Sequence, residues 1–317
     1  MKNKFLLPLI ILVSTSCSQN TFVLKDKVFC FDTYIETNLY EGNNEDLSNI
    51  KDMFTLFDKL SDNYLSRDVT NIFSINSTNE ELEINPSLYS LIKTSIDVND
   101  EGATYFNPLC GSLSKKWKAA LKEGKVLSQE EIDEELVKMN NSSIFFKDNN
   151  IIQRIGEAEI DLGGIAKGYT LDIVNDYLKE KEYKHFLING GSSSILLGEK
   201  KSSDGYFNVG LRDLSNAYIK AKNCFISTSS KSVQGVKIGD ITYSHIINPT
   251  NGSAINENDA VIVISQKGYL GDALSTSMMM NTIEEIKQIE IDSGVKTIVI
   301  KNNHIIYKND EIDVYYH

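Results

Sequence analysis

Proline is scarce: there are four in 317 residues. Pro-rich linkers and polyproline segments are thereby excluded, and 41% hydrophobic with 24% charged residues marks a chain that folds rather than one that stays disordered. Cysteine is equally sparse. With Cys17 set aside, Cys30, Cys110 and Cys224 remain, an odd number with no CxxC spacing. This argues against a disulfide framework or a thiolate zinc site and leaves them as small buried apolar residues. Positive charge is in deficit, with 32 Lys and Arg against 44 Asp and Glu and a net charge of −12. Non-specific nucleic-acid binding needs clustered cations, so no nucleic-acid partner is expected. Any phosphate-bearing ligand would need cations supplied locally, by a metal or a placed lysine. Long apolar runs are missing too. "FLLPLIILV" at 5–13 is too short for a bilayer span of roughly 20 residues. No fixed-period repeat or low-complexity linker is visible, and the length allows one large domain or two ordinary ones.

That apolar run follows Lys2 and Lys4 and precedes "STSC" at 14–17. The order basic, apolar, small-residue is that of a targeting segment. It resembles a bacterial lipoprotein signal, in which the cysteine, here Cys17, becomes the lipidated first residue. Ser14 departs from that pattern, where an aliphatic residue is usual. A simple secretory signal and a buried N-terminal segment are the alternatives. The expected organisation is a signal at 1–17, a tether at 18–27 and one catalytic domain over 28–317.

Within that domain, 27–41 reads as strand. Helical spacing predicts helices over 45–66, 86–102 and 107–124. Ser128 and Glu131 form a capping-box pattern opening another over 128–139. Residues 142–164 read as two or three short strands around Asp-Asn-Asn, and a helix follows Gly164. Beyond it the chain turns mostly to strand, with one more helix over 271–290. Regular β-α alternation is lacking, so the expected class is α+β, with mixed, largely antiparallel sheets packed with helices.

Four stretches can carry chemistry. In "DLGGIAKG" (161–168), Gly163 and Gly164 let the backbone approach a ligand, and Lys167 stands in the first turn of a helix whose dipole already repels it. On local physics this is either a plain strand–turn–helix joint or an anion site. In "GDALSTS" (271–277), Asp272, Ser275 and Thr276 fall at i, i+3 and i+4 near a helix start. They are either an N-cap with incidental hydroxyls or oxygen ligands for a hard cation such as Mg²⁺. His245 precedes the Asn-Pro and Asn-Gly turn of "SHIINPTNG" (244–252) and is either structural or catalytic. "INGGSSSILLG" (188–198) is either a tight β connection or part of a site.

Together and in this order the four resemble the FAD:protein FMN transferases, the flavin-transferase lipoprotein family known as ApbE. "FDTYIETNLY" (31–40), "SDNYLSRD" (61–68) and "TYFNPLCGSLSKKW" (104–117) are similar to that family's N-terminal motifs, so the resemblance runs from about residue 28 to the end. It implies Mg²⁺-dependent transfer of FMN from FAD to a Ser or Thr of an acceptor protein, with release of AMP, by an exported enzyme attached to the cell membrane through its lipid. It also implies that FAD lies against Phe31, Tyr64, Tyr105, Phe106, Asn107, Asp161, Lys167 and Ile246. The metal would be held by the Gly164 carbonyl, Asp272, Ser275 and Thr276, and His245 is the candidate base. Lys167 would then face a pyrophosphate. Hydrolysis of FAD at the same site, and flavin carriage without catalysis, are the rival readings. Asn107, Ser230, Asn248 and Gly271 depart from the family's usual residues and bear on the details of the flavin pocket.

Overall fold

The structure, a computed structural model, describes residues 23–316 apart from 192, 233–234 and 256–257. Cys17, the signal at 1–17 and the first part of the expected tether lie outside the described residues. The tether is shorter than expected, because strand β1 (Leu24–Cys30) already takes residues 24–27 into a sheet. It pairs antiparallel with β2 (Thr33–Leu39). The single strand expected over 27–41 is thus a hairpin, turned by Phe31 and Asp32 in left-handed backbone at φ 52° and 56°. Non-glycine residues rarely adopt that conformation. Asp58 steadies the turn by accepting the Phe31 N–H at 2.6 Å.

Helix α1 (Asn44–Ser61) starts at Asn43, whose side chain caps it, and buries Leu47, Ile50, Phe54, Phe57 and Leu60. It ends five residues before the expected 66. The Asp62 carboxylate there accepts the N–H groups of Tyr64 and Leu65 and turns the chain away. A short helix that the sequence pattern did not predict, α2 (Ile72–Asn76), is opened by an Asn71–Ser74 capping box. After β3 (Glu81–Glu83) come α3 (Pro86–Asp97), a 3₁₀ turn at Pro108–Cys110, α4 (Gly111–Lys122) and α5 (Gln129–Asn140). The last is opened by the predicted Ser128–Glu131 box. Strands β4 (Ser143–Lys147) and β5 (Ile151–Ile155) form the predicted hairpin through Asn149 and Asn150. Helix α6 (Ala166–Glu180) follows the Gly-Gly joint.

The chain then runs through β6 (Phe186–Gly190), β7 (Ser194–Leu197), β8 (Phe207–Gly210), β9 (Ala217–Ala221) and β10 (Cys224–Ser230). After β11 (Val236–Ile238), β12 (Ile241–Tyr243) and β13 (Ala260–Ser265) come two helices rather than the single one expected over 271–290. These are α7 (Gly268–Ser277) and α8 (Ile283–Ser293), the second restarted by a Thr282–Glu285 capping box. Strands β14 (Lys296–Lys301), β15 (His304–Lys308) and β16 (Val314–Tyr316) close the chain.

The architecture is α+β. An eight-stranded sheet in the order β1-β2-β6-β7-β10-β13-β14-β15 is antiparallel at every pairing. Its central strand β13 is apolar at consecutive positions because both faces are covered. Val261 and Val263 point into the helical core with Ile165, Ala273 and Leu274, while Ala260 and Ile262 point into a second core. That second core is closed by the three-stranded sheet β16-β9-β8, which contributes Phe207 and Ile219.

Candidate active site

Helices α6 and α7 cross over the central strands, and each holds the start of the other. Asp172 on α6 accepts the N–H groups of Gly268 and Tyr269 at 2.7 and 2.8 Å, capping α7, whose own first residues offer no side-chain cap. Burial pushes the Asp172 carboxyl up to about 6, against the pull of these two amides. In return the Gly168 N–H in the first turn of α6 donates to Asp272 Oδ2 at 2.7 Å.

Asp272 sits in the second turn of α7, not at a helix start, because α7 begins earlier, at Gly268. Its carboxylate is buried, and Oδ1 accepts the hydroxyls of Ser194 on β7 and Ser227 on β10 at 2.7 and 2.6 Å. Three elements therefore aim donors at one carboxylate. Burial pushes its pKa up, opposed chiefly by Lys167. Burial likewise pushes the Lys167 ammonium down, opposed by Asp272 and then Asp32. Ser275 and Thr276 donate to the Asp272 carbonyl at 3.0 and 3.1 Å, and Ser229 Oγ lies 3.0 and 3.2 Å from their hydroxyl oxygens. Gly164 comes close as well, since a Cβ built on it would lie 3.0 Å from the Phe106 ring and 3.4 Å from Thr276 Oγ1.

Gly164 thus lies beside Thr276, while Ser275 and Thr276 bond back to the Asp272 carbonyl. The donors are all hard oxygens, and Asp272 Oδ2 keeps a lone pair after serving one amide. Among the described residues no cluster of three or more His, Cys, Asp and Glu is present. One carboxylate with hydroxyl and carbonyl oxygens fits Mg²⁺, which retains waters and substrate oxygens as its other ligands. Gly271 makes room for this arrangement. A Cβ there would lie 2.7 and 2.8 Å from the Ser265 and Ser227 hydroxyls.

Of the other expected residues, Tyr105, Phe106 and Asp161 are tied to this place. Asp161 and Asn107 spend their side chains on local backbone, accepting the N–H of Gly163 at 2.8 Å and of Leu109 at 2.9 Å. Asp161 N–H donates to the Pro108 carbonyl, tying the 105–108 segment to the Gly-Gly joint. Tyr105 N–H donates to Ser277 Oγ at 3.0 Å, so that segment also reaches the end of α7. Phe106 and Ile246 are buried in the helical core, and Phe31 packs against its edge. The side chain of Tyr64 is exposed beneath Lys115 and Lys118.

His245 lies just beyond β12, which stops at Tyr243. Its pKa is lowered to about 4, first by burial and then by the charges of Lys118 and Lys167. Its Nδ1 is buried with no hydrogen-bond partner among the described residues. A buried polar atom without a partner is costly, and a bound ligand would give it one. Sequence reasoning missed Ser194, Ser227, Ser229, Asp172 and Lys118. The serines lie in hydroxyl-rich runs, where spacing along a strand does not single out one residue; Asp172 lies four residues beyond "DLGGIAKG", within the helix, where no cap or turn pattern marks it.

Residues 31–298 match the model of the ApbE family. The chain belongs to that family. Among curated relatives of this ApbE-family chain, an FAD:protein FMN transferase of Vibrio cholerae is 24% identical over 267 residues, covering 79% of this chain and 77% of the relative. An FAD:protein FMN transferase of Klebsiella pneumoniae is 27% identical over 220 residues, covering 65% and 66%, and one of Treponema pallidum is 23% identical over 61% and 59%. The chain thus spans about three fifths to three quarters of these relatives. The crystal structure of the ApbE protein of Thermotoga maritima superposes with a TM-score of 0.78 at 22% identity, covering 91% of this chain and 97% of that one. The flavin transferase ApbE of Vibrio cholerae superposes at 0.71 and 19% identity, covering 93% and 97%. These likenesses establish the α+β fold.

Proposed function

We propose that this chain is an FAD:protein FMN transferase that moves FMN from FAD to a Ser or Thr hydroxyl of an acceptor protein and releases AMP. The observation that carries this reading is the buried Asp272 carboxylate, held by Gly168, Ser194 and Ser227 opposite Lys167 at the start of α6. A fixed carboxylate and a cation at the positive end of a helix suit a diphosphate bound with a divalent metal.

The Gly164 carbonyl, Asp272, Ser275 and Thr276 would hold Mg²⁺, which when bound offsets the diphosphate charge and stabilises the departing phosphate. Lys167 binds diphosphate oxygen. Phe106, buried beside Gly164, closes one side of the pocket against water. The acceptor hydroxyl oxygen forms a bond to the FMN-side phosphorus, the bridging P–O bond breaks, and AMP leaves with the electron pair. His245, neutral by burial, takes the hydroxyl proton.

The test is incubation with FAD, Mg²⁺ and a candidate acceptor carrying a Ser/Thr flavinylation motif, read by in-gel flavin fluorescence and by AMP release. Flavinylated acceptor with AMP supports transfer. AMP with free FMN sinks transfer in favour of hydrolysis, and neither product leaves a carrier.

We further read Cys17 as a lipidation site that tethers the domain to the outer side of the cell membrane. The basic, apolar and small-residue order before it supports this, and among the described residues no helix is long and apolar enough to cross a membrane. Cys17→Ala should leave the membrane fraction or keep its signal uncleaved, and unchanged fractionation sinks the lipid reading.

A further inference from the structure

We infer that Ser229 is a positioning residue for the metal: it fixes the directions of the Ser275 and Thr276 hydroxyls and so favours Mg²⁺ over a larger divalent cation. The inference rests on the reading of Asp272, Ser275 and Thr276 as metal-holding residues and extends it to a strand that contributes none of them.

Alternate side chains of a strand share a face, and Ser227 and Ser229 on β10 both meet α7. Their partners differ. Ser227 donates to the Asp272 carboxylate at 2.6 Å. Ser229 Oγ reaches the other two side chains of the set, Ser275 Oγ at 3.0 Å and Thr276 Oγ1 at 3.2 Å. One strand thus touches every side chain expected to hold the metal. Ser229 is itself firmly placed, because β10 stays paired through it, with Ser229 opposite Val261 and Ser230 opposite Ala260 on the buried strand β13. A group that orients others has to sit on such a rigid element.

The protons decide which way the hydroxyls face. A serine or threonine hydroxyl has one proton and two lone pairs. Ser275 and Thr276 each spend the proton on the Asp272 carbonyl, at 3.0 and 3.1 Å. Both oxygens therefore meet Ser229 as acceptors, and the single proton of Ser229 goes to one or the other. Each α7 hydroxyl then has its proton turned back along the helix and a lone pair left for a cation. Without Ser229 each has one partner fewer to hold that orientation. Mg²⁺ demands near-octahedral ligands at about 2.1 Å, whereas Ca²⁺ accepts longer and more flexible coordination. The alignment of two neutral oxygens therefore matters more to Mg²⁺ than to Ca²⁺.

The experiment compares wild type, Ser229→Ala, which removes the hydroxyl, and Ser229→Thr, which keeps it on a side chain suited to a strand. The protein is titrated with Mg²⁺ and separately with Ca²⁺, at constant FAD and without acceptor. The midpoint for each metal is read from the rise in melting temperature. Ser229→Ala should raise the Mg²⁺ midpoint about tenfold, the lower end of the cost of losing a residue that orients metal ligands, and leave the Ca²⁺ midpoint within about twofold. Its melting temperature without metal should stay close to wild type, because Ser275 and Thr276 keep their bonds to the Asp272 carbonyl. Ser229→Thr should restore the Mg²⁺ midpoint. An unchanged Mg²⁺ midpoint in Ser229→Ala overturns the inference while leaving the metal reading intact. An equal loss for Ca²⁺ also overturns it, because Ser229 would then be a ligand itself or a general prop. A wild type whose melting does not respond to Mg²⁺ overturns both.

Discussion

Gly168 and Gly268 face each other across the α6–α7 crossing so closely that neither tolerates a side chain. A Cβ on Gly168 would lie 2.1 Å from the Gly268 carbonyl oxygen, and one on Gly268 would lie 2.3 Å from that of Gly168. The approach brings the Gly168 amide to Asp272. Backbone contact between two helices thereby sets the position of the site's buried carboxylate.

Gly168→Ala should therefore damage fold and site together. The clash is with backbone, so the helices must separate, at a cost of about 1–3 kcal/mol. Thermal melting should fall by several degrees and FAD affinity should fall with it. Gly210→Ala is the control, since a Cβ there meets nothing within 4 Å. A Gly168→Ala protein that melts like wild type would show that the crossing is looser than described.

Asp272→Asn should remove transfer activity by at least about 10²-fold, the scale of losing a preorganised charge in an active site. The structure also alters the expectation for stability. Three donors and Lys167 face this carboxylate, so the change is not silent in the fold, and about 1–3 kcal/mol should be lost through mismatched partners. Mg²⁺ titration followed by melting temperature is the check: wild type should be stabilised by the metal and the variant should not.

His245 should show its titration lower than an ordinary imidazole. From sequence alone, a rate limb near pH 6–7 is expected, but burial and two lysines bring the value to about 4, below the usual 6.5. The transfer rate should then fall only as pH drops toward 4, and His245→Gln should lack that limb. The stability sign follows from the same shift. A depressed folded-state value makes the contribution present above 6.5 and lost as pH falls from 6.5 toward 4. Melting temperature should decline more steeply across that window in wild type than in His245→Gln, and parallel declines would rule the assignment out.

Asp172→Asn should weaken the cap of α7 by about 1 kcal/mol, because its NH2 would face one of the two amides that the carboxylate oxygens serve separately. Its folded-state value of about 6 is raised above the ordinary 3.8, so its ionisation costs stability as pH rises through 6. The destabilisation by Asp172→Asn should accordingly be larger at pH 4 than at pH 8 in denaturant melts. A penalty that grows with pH would contradict the buried-cap description.

Much of this protein is local and was legible in the chain. The helices opened by Ser128–Glu131 and after Gly164, the Asn-Asn hairpin and the antiparallel character follow from caps, turn residues and apolar spacing. So does the kind of chemistry, because Gly-Gly before a lysine and Asp with two hydroxyls at helical spacing each carry a short-range physical meaning. Even the break between α7 and α8 had a local signal in Thr282 and Glu285, which the continuous helical pattern overrode. What only the tertiary structure decided is pairing at a distance. Gly168 meets Asp272 across 104 positions and Ser194 meets it across 78. No periodicity encodes which of several neighbouring serines turns inward. The titration of His245 was equally out of reach, since it depends on burial and on two lysines far from it in sequence, Lys118 and Lys167.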